Sequence, residues 1–543
     1  MPIAEAVSDG ASFDYVIIGA GSAGCVLAAR LSEDPAVSVC LIEAGPPDRH
    51  RLIHIPFGLA ALAKVKGINW GFLTTQQPAM NGRRMIWPRG KILGGCSSVN
   101  AMCYTRGARE DYDDWAEGGA HGWDWASVLP YFRKSEDYEH GENAYHGMGG
   151  PLTVSDLRHV SPLSSAFVRA GQEIQLRRNP DFNGETQDGV GIYHVTQRDG
   201  RRCSTATAYL RPNLDRPNLT IVTDCLAERI IVEDRQAKGV RLTQKSGPAT
   251  IRATREVLLC GGAVNSPQLL MLSGIGPAAH LKEHGIEPVA DRPGVGRNLQ
   301  DHLDAIVQMK THSRDGYGIA FRAVPQTVSA AVKYMRGRRG HFTSNVAEAG
   351  GFVTVTPGER LPDVQFHFLP VRIKDHGGTN VYGFGYSVHV CCLQPKSRGE
   401  IRLRSADPAA HPAIDPRYLS EEEDGRVIVA GLKLARRILG APAFAAYRGV
   451  EVEPGPDVQS DEDLLAFIRE RGETIYHPVG TCRMGASGDP ATVVDPELKV
   501  IGVDGLRVVD ASVMPKLIRG NTNAPTIMIA ERAADLIRGR PTL

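Results

Sequence analysis

Residues 14–24 read DYVIIGAGSAG, and the order of residue types in them decides the fold. A short β-branched run suits a strand buried in a parallel sheet, and it breaks into glycines before an apolar helical pattern at 25–31. The pattern is strand, tight turn, helix. Gly19, Gly21 and Gly24 form GxGxxG. The first glycine allows the turn, the second lets backbone approach a pyrophosphate, and the third lets helix and strand pack closely. A phosphate would then sit at the helix amino terminus, where unpaired N–H groups and the helix dipole favour an anion. A second strand is predicted over 37–42 and ends at Glu43, 24 residues after Gly19. That placement suits a carboxylate bonding ribose hydroxyls. A glycine turn alone would say little, but the βαβ context makes it a dinucleotide site. It leaves open whether the dinucleotide is FAD or NAD.

The rest of the composition narrows the class. In 543 residues, 62 Lys and Arg balance 61 Asp and Glu, so the net charge of +1 gives no footprint for nucleic acid. Residues 1–12, MPIAEAVSDGAS, carry no basic or apolar targeting pattern, and no run reaches the roughly 18 apolar residues of a membrane span. The expectation is a cytoplasmic protein with no integral membrane segment, peripheral contact with the inner membrane being left open. Ten cysteines without CxxC or zinc spacing argue against a disulfide framework and against a metal site. Cys25, Cys40 and Cys260 read as small core hydrophobes.

Five further stretches stand out. Residues 89–107, RGKILGGCSSVNAMCYTRG, are too polar and too glycine-rich for ordinary core. Residues 260–277, CGGAVNSPQLLMLSGIGP, follow a strand-like run at 256–259 with a glycine turn and a helix stopped by glycine. Near the end come TIYHPVGTCRMG at 474–485 and LRVVDASVMP at 506–515, then GNTNAPTIMIAERAADLI at 520–537, where a polar stretch opens a helix predicted to be amphipathic. Together with the first motif, in this order, these stretches resemble the glucose-methanol-choline (GMC) oxidoreductase family, and in particular its bacterial choline and alcohol dehydrogenase branch. The resemblance runs essentially end to end.

The resemblance implies FAD, with Gly19, Gly21, Ser22 and Gly24 at the pyrophosphate and Glu43 at the adenosine ribose. It puts Asp510 and Ala511 beside the ribityl and pyrophosphate region, and Gly94, Asn100 and Ala101 beside the flavin. Val99 stands where some relatives carry a histidine joined covalently to the flavin, so the FAD is expected to be non-covalent. Cys96 replaces a more usual Ser or Gly and is assigned no chemistry.

Oxidising an alcohol needs a base for the hydroxyl proton and an acceptor for the hydride. His477 is the candidate base, because imidazole titrates near neutral pH and Pro478 and Gly480 mark its segment as a turn. In the family pattern this histidine is catalytic. Asn523, in NTNAPT, is matched to the family's second catalytic residue, although helix capping alone would also suit an asparagine there. Met102, His367 and Tyr476 are candidates to shape the substrate pocket. Glu348 could meet a cationic substrate or sit in a buried pair.

The fold class expected is α/β, and α+β overall. A Rossmann-like FAD-binding domain is assembled from 1–160, 200–310 and 465–543. An antiparallel-sheet substrate domain backed by helices takes 161–199 and 311–464, where alternating patterns such as YSVHVCCLQ and IRLRS occur. The expected activity is FAD-dependent oxidation of a primary alcohol to an aldehyde, with hydride passing to flavin N5 and electrons then leaving to a quinone, an electron-transfer protein or oxygen. A dehydrogenase is favoured over an oxidase. A family lyase and a light-driven decarboxylase are the alternatives, and the scarcity of aromatic and anionic cage residues favours an uncharged alcohol over choline.

Overall fold

The computed structural model describes residues 3–543. Its first sheet has seven strands. Leu219–Val222, Val39–Ile42, Ser12–Ile18 and Gly247–Leu259 lie side by side and parallel, and Gln236–Gln244 and Leu226–Glu233 extend the sheet antiparallel. Leu506–Val508 joins the carboxyl end of Gly247–Leu259, also parallel. The 13-residue central strand therefore serves two pairings, antiparallel through Gly239↔Arg252 and parallel through Ile18↔Leu259. Ile18, Ile42, Leu259 and Val508 end in register. Their common carboxyl edge is the crevice where open α/β sheets bind ligands.

The glycine turn behaves as its spacing demands. Helix Ser22–Leu31 follows the first strand directly, starting earlier than the predicted residue 25. A Cβ on Gly24 would lie 1.9 Å from the Gly19 carbonyl oxygen, so only glycine lets helix and strand approach this closely. Gly19 itself holds φ +98.

The carboxyl-terminal helix, Asn523–Ile537, departs from its pattern. The sequence predicts an amphipathic helix, and every residue from Ala524 to Asp535 is buried. It runs against Ser22–Leu31 and Trp125–Ser135. The charges survive burial because they are paired. The Arg30 guanidinium donates three bonds to Glu531, at 2.8, 2.9 and 3.1 Å, Tyr209 donates a fourth at 2.8 Å, and Lys134 reaches Asp535 at 2.8 Å. An amphipathic sequence here marks a helix with an ionic face inside the protein.

The second sheet is antiparallel throughout, in the order Val450–Glu453, Leu303–Thr311, Phe384–Cys392, Val364–Leu369, Ala349–Val353, Gly189–Ile192. Glu473–Thr474 pairs with the start of Leu303–Thr311. Helices Glu422–Gly440 and Pro162–Glu173 pack on this sheet. All of Leu303–Thr311 but its last residue falls inside a segment, 200–310, that the sequence groups with the cofactor motifs. It joins the other sheet because its neighbours there, Phe384–Cys392 and Glu473–Thr474, lie far away in the chain and leave no local trace. All ten cysteines are free thiols, and all but Cys96 are buried.

Candidate active site

A cavity of about 730 Å³ separates the two sheets. One end is lined by Gly19, Gly21, Ser22 and Glu43, the other by His477, Asn521, His367 and Met102.

The geometry at the second end begins with a mismatch between two antiparallel segments. Gln300 bridges Val479 and Leu303 pairs with Thr474. That is three steps along one segment and five along the other, so residues 475–478 bulge out. Tyr476 in the bulge holds φ +75, and the bulge turns the following side chain, His477, into the cavity. Asp301 fastens the loop. Its carboxylate accepts the His477 backbone N–H at 2.8 Å and the Thr474 hydroxyl at 2.6 Å, and it also takes the Tyr418 hydroxyl. Burial raises the Asp301 carboxyl to about 6 despite these donors.

The same pairing brings His302 against His477, Nδ1 to Nδ1 at 3.0 Å. The tautomers follow from the next bond. His302 Nε2 lies 3.1 Å from the Leu393 carbonyl, which can only accept, so Nε2 carries the proton. A neutral His302 then has a bare Nδ1, and the contact requires His477 to donate from Nδ1. The lone pair of His477 is thereby left on Nε2, at the cavity. Burial keeps His302 neutral by lowering it to about 4, and burial together with the neighbouring His302 and His367 puts His477 well below the ordinary imidazole value.

Asn521 faces that lone pair. Its Oδ1 accepts from the Thr105 hydroxyl at 3.1 Å and from Gln365 Nε2 at 3.2 Å, which fixes which end of the amide points where. Nδ2 then donates to His477 Nε2 at 3.1 Å and lies 3.5 Å from His367 Nε2. Asn523 is not the partner that the sequence suggested. It is the first residue of the carboxyl-terminal helix, and its Oδ1 accepts from Ser22 Oγ at 2.7 Å, clamping two helix starts together beside the glycine turn. NTNAPT offers two asparagines, and only the turn before the helix decides which one reaches His477. Sequence reasoning also passed over Asp301 and His302, whose visible signal was a polar run, NLQDH at 298–302, just ahead of a strand.

Met102 lines the cavity at φ +60, and its side chain packs with Leu157 and Val195. Val346, also on the wall, holds φ +71, costly for a β-branched residue. With Asp375 at φ +50, four non-glycine residues in the left-handed region therefore border one cavity, the concentration of strain expected at working sites. His367 is buried on the wall, lowered by burial to about 3, and stacks on Tyr193 with ring centroids 5.5 Å apart. Glu348 faces away from the cavity. It is enclosed by the Ser161 N–H at 2.7 Å and the hydroxyls of Ser164 and Ser344, each at 2.6 Å, with Tyr317 as a further donor.

The first end fits a dinucleotide. A Cβ on Gly21 would project into open space, and the helix that starts there has no side-chain cap, leaving its first amides available to an anion. Glu43 accepts from the Ala20 and Gly45 N–H groups at 2.9 and 2.8 Å, and burial raises it to about 7. Asp510 accepts from Gly262 N and Ser512 N, both at 2.8 Å, and from Ser266. Both carboxylates, with Ala511, Asn100 and Ala101, line the cavity. Gly94 lies behind the wall and ties its loop to the glycine turn by donating to the Ala20 carbonyl at 2.7 Å. Val99 lines the cavity and packs with Ile53, Leu62, Ile68 and Ile92.

Comparison with known proteins gives the family. Two family profiles, both described as GMC oxidoreductase, match residues 13–304 and 395–530. An alcohol dehydrogenase [acceptor] of Pseudomonas putida is 53% identical over 528 residues, covering 97% of this chain and 95% of the relative. An oxygen-dependent choline dehydrogenase of Brucella anthropi is 45% identical over 530 residues, covering 98% and 96%. Among solved structures, pyridoxine 4-oxidase from Mesorbium loti superposes with a TM-score of 0.88 at 33% identity, over 97% of this chain and all of that one. A formate oxidase of Aspergillus oryzae, which holds FAD, gives 0.91 at 28% identity over 98% and 99%. The chain belongs to the GMC oxidoreductase family.

Proposed function

We propose that this protein oxidises an uncharged primary alcohol to its aldehyde, with non-covalent FAD as cofactor and His477 as base. The observation that carries the reading is the chain from the Leu393 carbonyl through His302 to His477, which leaves an unprotonated imidazole nitrogen on the cavity wall, facing the Asn521 amide. FAD, when bound, supplies the acceptor for the hydride that leaves the carbinol carbon. The residues handle the proton. The alcohol oxygen takes the place where Asn521 Nδ2 can donate to it, and its proton passes to His477 Nε2 as the C–O bond becomes a carbonyl. His302 stabilises the resulting imidazolium by accepting from Nδ1. Asn521, rather than Asn523, is the second residue of this pair.

The wall supports an apolar substrate. Phe57, Leu59, Leu369, Val371 and Ile373 form much of it. Asp304 on the wall is paired through one oxygen with His389 Nδ1, which offsets its charge toward a quaternary ammonium. Val99 has no nucleophilic atom, which favours dissociable FAD. The kinship with the acceptor-dependent alcohol dehydrogenase favours an acceptor other than oxygen.

The test is anaerobic mixing of the yellow protein with aliphatic alcohols, benzylic alcohols and choline while the flavin absorbance is followed. Bleaching by an uncharged alcohol is expected, with turnover sustained by an artificial dye acceptor. A flavin that no alcohol bleaches would overturn the assignment in favour of a lyase or a photochemical enzyme. Fast reoxidation in air would make it an oxidase.

A further inference from the structure

Helix Val324–Gly337 is built inside out. With the short turn Phe321–Ala323 that leads into it, it carries large apolar side chains at 321, 324, 328, 332 and 335. At 100° per residue these positions fall on one stripe. A soluble protein buries such a stripe, but here Phe321 is 94% exposed, Met335 77%, Val328 57% and Val324 51%. The inward face is made of small residues, Ala323 and Ala330, with Tyr334 donating to the Gly200 carbonyl at 3.3 Å. Beside the stripe stand Arg322, Lys333, Arg336, Arg338 and Arg339, all exposed, and no Asp or Glu occurs from 316 to 347. None of the five cations forms a salt bridge among the described residues.

The stripe adjoins the cavity. Ile319, two residues before Phe321, lines it and pairs with Tyr382 and Gly383, and Tyr382 is 72% exposed. After the helix, Phe342 stacks on Phe57, another lining residue, with ring centroids 5.8 Å apart.

We propose that this face docks on an anionic lipid bilayer, with the apolar stripe entering the acyl boundary and the five cations meeting the headgroups. No helix among the described residues is long and apolar enough to cross a membrane, so the contact is interfacial. Charge argues against a second copy of the chain as occupant, because a two-fold contact would set five cations against five. Docking would bring the rim of the cavity to the membrane, and an apolar alcohol or a lipid-soluble acceptor could exchange there without crossing water. The surface itself does not depend on which reaction the cavity performs.

The test is flotation of the full-length FAD-loaded protein with two vesicle types, phosphatidylcholine alone and phosphatidylcholine with one part in three phosphatidylglycerol. The protein is expected to float with the anionic vesicles and to be released by high salt. The double substitution Phe321→Asp with Val328→Asp is expected to weaken partition about tenfold or more, while leaving flavin content and anaerobic reduction by a water-soluble alcohol unchanged. Absence of the wild-type protein from anionic vesicles, or equal flotation of the variant, would overturn the proposal. A concentration-dependent dimer that the variant loses, without vesicle binding, would make the stripe a subunit interface and overturn it as well.

Discussion

His302 and His477 meet nitrogen to nitrogen, Nδ1 to Nδ1 at 3.0 Å, and only one of the two can hold the proton between them. The Leu393 carbonyl settles which, by claiming the proton on His302 Nε2. A backbone group outside the cavity thus sets which nitrogen of the catalytic candidate is basic, much as outer partners fix the tautomer of metal-bound histidines.

His302→Leu removes the acceptor and leaves the His477 tautomer unset. Turnover is expected to fall about 10- to 100-fold, whereas His302→Gln, whose carbonyl can still accept from Nδ1, retains most of it. His477→Ala loses about 10²- to 10⁴-fold, the usual contribution of a general base. Flavin reduction rates by stopped flow read all three, and an unimpaired His302→Leu would break the tautomer argument.

The two asparagines separate cleanly. Asn521→Ala is expected to slow flavin reduction at least tenfold, because the amide that faces His477 is gone. Asn523→Ala removes the bond to Ser22 and is expected to leave the reduction rate within a few-fold while costing about 1 kcal/mol of stability. Rates and melting temperatures of both variants decide the matter, and the reverse pattern would restore Asn523 to the chemistry.

The glycine turn was legible in the sequence because Gly19 and Gly24 act on each other within five residues, whereas Glu43 reaches Ala20 across 23 residues and Asp510 reaches Gly262 across 248. His477 stands out as a candidate in a run whose Pro478 and Gly480 announce a turn, and that turn lies on the cavity. His302 was not legible, since its meaning comes from Leu393 and from a strand pairing across 175 residues. Asn521 and Asn523 differ only in which side of a helix boundary they occupy, and pattern reading places such boundaries to within a few residues. The inverted helix is the sharpest case. The periodicity of 321–335 reads as a buried face, and only the surrounding structure reveals that nothing covers it.

Acid stability carries a definite sign. Folded His302 and His367 stay neutral until about pH 4 and about pH 3, because burial disfavours their charged forms. In the unfolded chain both take protons below about pH 6.5. The unfolded state therefore binds more protons between those limits, and stability falls as pH drops from about 6.5 toward 4. Melting temperatures across that range should decline, and His367→Asn should flatten part of the decline. Turnover should hold a plateau through pH 7, since His477 is already unprotonated there.

Glu43 joins stability to cofactor retention. Its two oxygens accept the Ala20 and Gly45 N–H groups, and it is buried, so Glu43→Ala leaves both donors unpaired at about 1–3 kcal/mol each. Glu43→Gln keeps one acceptor oxygen and is expected to lose only part of this. If the side chain also meets the ribose of FAD, adding FAD should raise the melting temperature of the wild-type protein more than that of Glu43→Gln, because ligand stabilisation scales with affinity. An equal rise would confine Glu43 to holding the turn. Acid precipitation of the wild type should release its flavin into the supernatant, as Val99 offers no atom for a covalent link.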